Sequence, residues 1–322
     1  IGMVADARTT AKGHRLVELE DPTGSIRVLF NKGRDESFSE AEKILPDEVL
    51  GVRGKLSNDG GLLFADQLTR PDIPINHAPF RSDRPGKAIM ISDVHVGSDT
   101  FLNEAWSRFA DWLQDSDAAY LLIAGDLVDG IGIYPGQENE LTIKNIYEQY
   151  DVFAEMLRDL PSRIQIVVIP GNHDVVRMAE PQPAIPAEFT EKFPANCTVA
   201  ENPCLLNLQG VRVLMYHGRS YDDMIGLIPG ASYERPGEIM DEMLKRRLLA
   251  SPYGMRTPIA AMKTDRLVID PLPEILLTGH VHICGITRYR GVLGVNAGTW
   301  QSQTSFQKQM NIHPTPARAF VV

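Results

Sequence analysis

Five short polar stretches carry the residue types of metal chemistry, and each follows an apolar run. Asp93-Val94-His95 follows IMIS, and Gly125-Asp126 follows LLIA, with Asp129 three residues on. Gly171-Asn172-His173-Asp174 follows VVIP, His217-Gly218 follows VLMY, and Gly279-His280-Val281-His282 follows ILLT. Carboxylate, imidazole and amide oxygen together suit borderline and hard divalent ions. None of the five stretches contains Cys, so a thiolate zinc site is not indicated. Asp93/His95 and His280/His282 are spaced i, i+2. On an extended strand end such residues point the same way, so each pair is expected to offer two ligands to one cluster. The glycines let backbone pass close to ions without a Cβ in the way. A lone strand-end Asp is often a helix cap and a lone His a packed or surface residue, but five loops of one make argue for a shared site. His14, His77 and His313 lie in polar or Pro-bounded stretches and read as surface residues.

Such loops need a frame. The apolar runs are KAIMISD (87–93), AYLLIAGD (119–126), RIQIVVIPGNHD (163–174), VRVLMYHG (211–218), EILLTGHVH (274–282) and GVLGVNAG (291–298), with helix-like segments at 100–114 and 145–160. Continuous apolar strands alternating with helices indicate buried sheets covered on their faces, an α/β class. Ligands in such folds sit beyond the carboxyl ends of the strands, where these loops lie. Residues 1–70 read differently. Three strand signals are followed by a helix candidate at 37–45, with Ser39 as N-cap and Glu42 completing a capping box, and then by two more strands. That order matches a small OB-type β-barrel. Between the two regions, residues 71–86 hold four Pro and no periodicity, a linker or a strapped-down connection. The expected organisation is a barrel over 1–70, a Pro-rich linker over 71–86 and a larger domain over 87–322.

Composition sets outer bounds. The 322 residues carry 32 basic and 42 acidic side chains, 32 − 42 = −10. That charge argues against a general electrostatic grip on nucleic acid, although divalent cations in a site reverse the sign locally. No apolar run reaches membrane-spanning length. The first residues lack the layout of a secretory signal and lack an initiator Met, so the chain reads as a trimmed fragment. Cys197, Cys204 and Cys284 form no C-x-x-C pair, and a reducing, cytoplasmic setting is expected.

The ordered set DVH, GDLVD, GNHD, YHG and GHVH resembles the calcineurin-like metallophosphoesterase superfamily over most of residues 87–300. The resemblance implies a β-sandwich flanked by helices and two divalent ions sharing Asp126. Asp93, His95, Asp126 and His282 would hold the first ion. Asp126, Asn172, His217 and His280 would hold the second, and His173 would contact the scissile phosphate as the donor to the leaving 3′ oxygen. Mn²⁺ is the expected metal, with Fe, Zn or Mg as alternatives. Asp129 and Asp174 are candidates for orienting imidazoles, or else N-caps. Arg219 is a candidate phosphate contact, or else a surface ion pair.

A barrel ahead of such a domain, with GDLVDGIGIYPGQ (125–137) and HGRSYDD (217–223), is similar to the small subunit of archaeal family D DNA polymerases. That similarity implies a 3′→5′ exonuclease that proofreads for a large polymerising subunit on single-stranded or mismatched 3′ ends of DNA. Tyr134, Tyr221 and Tyr233, with Arg219 and Arg235, are candidates for holding single-stranded DNA. The amino-terminal extension expected of that subunit is missing. Two other functions stay open: a structural subunit that scaffolds the large one, and a free-standing metallophosphatase, for which the barrel has no evident use. The closing AFVV is either tucked against the body or offered to a partner.

Overall fold

A computed structural model describes residues 1–33, 35–250 and 252–322. The amino-terminal strands β1 (Gly2–Thr9), β2 (Arg15–Asp21) and β3 (Gly24–Phe30) are followed by helix α1 (Asp35–Glu42), β4 (Val49–Leu56) and β5 (Leu62–Thr69). They close as a barrel in the order β1-β2-β3-β5-β4, with β3 and β5 parallel. Alternation fills it: Val4, Val17, Val28, Phe30 and Leu50 point inward and are fully buried. The helix sits where three strands precede it and two follow, but it starts at Asp35. Ser39 therefore lies inside α1 rather than capping it. An acidic, Ser-rich stretch offers several places to start a helix, and packing of Ala41 and Ile44 on the barrel decides among them.

The larger region is a sandwich of two five-stranded sheets. One sheet holds β6 (Lys87–Ile91), β7 (Ala118–Ala124), β8 (Gln165–Ile169) and β9 (Cys197–Val199), all parallel. Their connections run through α2 (Asn103–Asp115), α3 (Ile146–Arg158) and α4 (Ala187–Thr190). Asn145 caps α3, accepting from the Tyr147 N–H at 2.9 Å. The second sheet runs β10 (Cys204–Leu208), β11 (Val211–Met215), β12 (Ile275–Thr278), β14 (Val292–Ala297) and β13 (Cys284–Tyr289), in that spatial order. Helices α5 (Tyr221–Leu227) and α6 (Pro236–Arg246) cover its outer face. Strands buried on both faces read as unbroken apolar runs, which is why all six runs of the sequence form strands. Met90, Leu122, Ile169, Met215 and Leu277 fill the interior between the sheets. A short helix α7 (Ser305–Gln309) precedes β15 (Phe320–Val321), which pairs antiparallel with β6, so the AFVV end is tucked in.

The barrel is fastened to the sandwich by buried charge. Arg70, at the end of β5, bridges Glu40 at 2.6 Å and Glu48 at 3.3 Å, and Arg246 at the end of α6 meets Glu48 at 2.6 Å. Glu48 and Arg246 are nearly inaccessible to solvent. The Pro-rich connection is held down as well. Asp72 accepts from the Tyr289 hydroxyl at 3.0 Å and pairs with Arg290, while Ile73 is fully buried beside Leu45 and α6.

Candidate metal centre

The five polar stretches meet at one end of the sandwich. Asp93 and His95 follow β6, Asp126 follows β7, Asn172 and His173 follow β8, His217 follows β11, and His280 and His282 follow β12. Three groups of ligand-type atoms form there: Asp93, His95 and His282; His95, Asp126 and His173; and Asp126, His217 and His280, each with atoms within 4.8 Å of one another. Asp126 and His95 each belong to two of these groups. Asn172 joins the last group, its Oδ1 lying 3.1 Å from His217 Nε2. His14, His77 and His313 belong to none of them. His313 is exposed, whereas His14 and His77 are both half-buried rather than plain surface residues.

The local backbone differs from the extended strand ends that the i, i+2 spacing implies. Asp93, His95, Asp126, His280 and His282 all have φ between 50° and 71°, the left-handed region that residues with a Cβ rarely adopt. Convergence comes from alternating left-handed residues in tight loops, not from the pleat of a strand. Such strain persists only where surrounding contacts hold it, and it clusters at functional sites. Cross-bracing is visible: the Asp93 carboxylate accepts from the His280 backbone N–H at 2.9 Å, and Asp126 Oδ1 accepts from the His173 N–H at 2.8 Å. Close approach explains two glycines. A Cβ at Gly171 would lie 2.2 Å from Asp126 Oδ1, and one at Gly279 would lie 1.8 Å from Ser92 Oγ.

Around these groups lies a layer that fixes the rings. His95 Nδ1 lies 3.0 Å from Asp129 Oδ1, and Asp129 is itself held by Gln137 at 2.9 Å and Gln301 at 3.1 Å. His217 Nδ1 faces the Ala124 carbonyl at 2.9 Å. His280 Nε2 faces Asp222 Oδ2 at 3.3 Å, and the Tyr233 hydroxyl donates to Asp222 Oδ1 at 2.7 Å. Among the described residues Asp174 orients no imidazole and caps no helix. Its carboxylate accepts from the Gly171 N–H at 2.8 Å and the Tyr150 hydroxyl at 2.8 Å, bracing the loop that carries Asn172 and His173. Asp222 escaped the sequence reading because an acid in the first turn of a helix complements the helix dipole without further purpose.

The electrostatics are those of a site short of positive charge. Burial works against ionised His95 and His217, yet the surrounding carboxylates outweigh it. Asp129 and Asp93 push His95 up to about 10, and Asp126 pushes His217 up to about 9. Burial also opposes ionised Asp93 and Asp126, and the neighbouring imidazoles nevertheless hold both carboxyls below their usual range. Burial lowers His173 and His282. The donor set is two carboxylates, one amide oxygen and four imidazoles. It fits divalent ions of intermediate hardness and contains no thiolate.

Of the residues proposed for holding DNA, Tyr221 is fully buried with its hydroxyl on Thr278, and Arg235 pairs with Glu238 at 2.9 Å. Tyr221 serves packing in the layer that covers the second sheet, whereas Arg235 stays exposed in an ion pair at the start of α6. Tyr134 stays near the centre, its ring 6.5 Å from that of His173. Tyr233 is half-buried and committed to Asp222. Among the described residues Arg219 has no carboxylate partner and reaches only Met178 Sδ and the Arg256 carbonyl.

Comparison with known proteins agrees with this arrangement. Residues 86–284 match the calcineurin-like phosphoesterase family, and residues 1–69 match the OB-fold nucleic acid binding domain. The DNA polymerase II small subunit of Methanothermobacter thermautotrophicus is 47% identical over 98% of this chain and 67% of its own. That of Halobacterium salinarum is 47% identical over 99% of this chain and 64% of its own. The chain belongs to the archaeal DNA polymerase II small subunit family. The family member of Pyrococcus furiosus is 40% identical over the whole chain but only 54% of its own length, so this chain spans between half and two thirds of its relatives. A solved archaeal phosphodiesterase covers 66% of the chain and 84% of its own at 12% identity and TM-score 0.36, too distant to add to that assignment. Among the described residues no helix is long and apolar enough to cross a membrane.

Proposed function

We propose that this chain is the hydrolytic part of a replicative DNA polymerase's small subunit, a metal-dependent 3′→5′ exonuclease that removes mismatched or single-stranded 3′ ends. For this reading we divide it into a barrel over 1–70, a strap over 71–86 and a phosphoesterase domain over 87–322. The observation that carries the proposal is the convergence of eight ligand-type side chains, with Asp126 and His95 each shared between two groups. Asp93, His95, Asp126 and His282 would hold one divalent ion. Asp126, Asn172, His217 and His280 would hold the other, with Mn²⁺ as the native metal. Two such ions would supply charge neutralisation at the phosphoryl oxygens and lower the pKa of a water toward neutral.

The chain's own groups do the rest. The His173 imidazole is fixed through Nδ1 on the Asp129 carbonyl at 2.7 Å, which leaves Nε2 for proton exchange. Burial lowers the proton affinity of this ring, against the pull of Asp126. An arriving phosphodiester anion raises its proton affinity, so the ring gains a proton where the leaving 3′ oxygen needs one. The unpaired Arg219 is suited to a neighbouring phosphate. The barrel's OB fold supports nucleic-acid binding, and the family's small-subunit name supports a large polymerase subunit as partner. A gel of 3′-mismatched, 5′-labelled DNA tests the activity, with the chain alone and joined to the large subunit, in Mn²⁺ and in EDTA. Metal-dependent shortening from the 3′ end is expected. Release of inorganic phosphate from small monoesters with no cutting of DNA would turn the reading to a phosphatase.

A further inference from the structure

Each imidazole of the centre has one ring nitrogen facing the cluster and one facing the layer behind it. A neutral imidazole that lends its inner lone pair to an ion carries its proton on the outer nitrogen, and that N–H needs an acceptor. His95 has the Asp129 carboxylate, His217 the Ala124 carbonyl and His280 the Asp222 carboxylate. His282 is the exception. Its Nε2 faces inward, 3.3 Å from Asp93 Oδ1 and 3.1 Å from His95 Nε2. Its outer Nδ1 lies 2.8 Å from the amide nitrogen of Gln307, which is a donor.

The amide oxygen of Gln307 is already engaged. It accepts from the Thr304 N–H at 3.1 Å while the Thr304 hydroxyl accepts from the Gln307 N–H at 3.3 Å, the capping box that opens α7. Gln307 is 6% exposed, so water does not readily substitute for either partner. Its side chain holds one acceptor oxygen. Thr304 N–H and a metal-competent His282 Nδ1–H are both donors. Whichever way the amide is turned, one of them faces the NH₂ group.

We propose that Gln307 is a positioning residue for His282, and that its amide couples filling of the first ion site to the capping of α7. With the centre filled, the oxygen turns to His282 Nδ1–H and the capping box opens; with the centre empty, the oxygen caps α7. This rests on the reading of the centre as a metal site. Being only five residues long, α7 has few other ties, so its amides report the change.

The test uses the full chain, titrated with Mn²⁺ alone, and a Gln307→Glu variant. A carboxylate offers two acceptor oxygens and serves both donors at once. Gln307→Glu is expected to bind Mn²⁺ about 10–100-fold more tightly, the scale of second-layer effects on metal affinity. Hydrogen exchange over residues 304–309 is expected to quicken on Mn²⁺ loading in the wild type and to stay unchanged in the variant. Tighter binding with no change in wild-type exchange would mean that added charge alone acts, and would overturn the coupling. Unaltered affinity in the variant would overturn the positioning role. A wild-type chain that binds no Mn²⁺ would overturn the metal reading itself.

Discussion

The protein buries ionisable side chains in two opposite ways. At the seam between barrel and sandwich, Glu48 lies between Arg70 and Arg246, and Glu40 meets Arg70 and Lys245. Every carboxylate there faces a cation from another element. At the strand ends of the sandwich, Asp93 and Asp126 face imidazoles and one another's loops, and among the described residues no Lys or Arg lies within ion-pair distance of either. The first cluster is electrically complete; the second gathers carboxylates and imidazoles with no Lys or Arg beside them among the described residues. Without metal, protons on His95 and His217 take that place, which is why those two rings hold protons so far above the usual imidazole range. A completed buried pair fixes geometry, whereas buried carboxylates met only by imidazoles mark a candidate site.

The sharpest way to break this contrast is to remove the shared carboxylate. Asp126→Ala is expected to abolish both bound ions and nearly all hydrolysis, read by metal analysis of the purified chain and by the DNA gel. Two ions and an undiminished rate would refute the bridging role. Acid should do the same reversibly. Two protons compete with the ions at His95 and His217, so Mn²⁺ affinity falls by up to about 100-fold for each pH unit lost below 9. The sign is opposite for the metal-free fold: those protons support it below about pH 6.5, and the support is lost as pH rises through 9 to 10. Calorimetric titrations at pH 6, 7 and 8 check the first part, and a flat series would contradict an imidazole-rich site. His173→Ala separates chemistry from binding. A rate loss of about 10²–10⁴-fold with metal content unchanged is expected, while loss of metal would make His173 a ligand beside His95 and Asp126.

The seam answers to a different measurement. Removing one partner of a buried ion pair costs about 3–5 kcal/mol, so Arg246→Ala should lower stability to urea by that order. It should also speed proteolysis between residues 71 and 86, where the intact chain is expected to be cut slowly. If Arg246→Ala left stability unchanged but weakened metal binding, the two clusters would not be independent.

Much of this molecule is legible along the chain. The six apolar runs, the strand–helix order of the barrel and the residues that reach the centre all follow from local burial, because a strand covered on both faces must be apolar and a strand end need not be. What tertiary structure alone decided lies at long separation. Asp129 reaches His95 across 34 residues, Asp222 reaches His280 across 58, and Gln307 reaches His282 across 25. No periodicity reports such meetings, since each depends on how separate loops are folded back. The left-handed turns at Asp93, His95, Asp126, His280 and His282 are likewise invisible in residue type, for none of these is Gly. Only the combined bracing of neighbouring loops holds them there. Tyr221 looked like a surface for bases and became core because α5 folds inward onto the second sheet. The residues set which chemistry is available. The crossing of five loops set where each lone pair points, because direction is a property of the assembled fold.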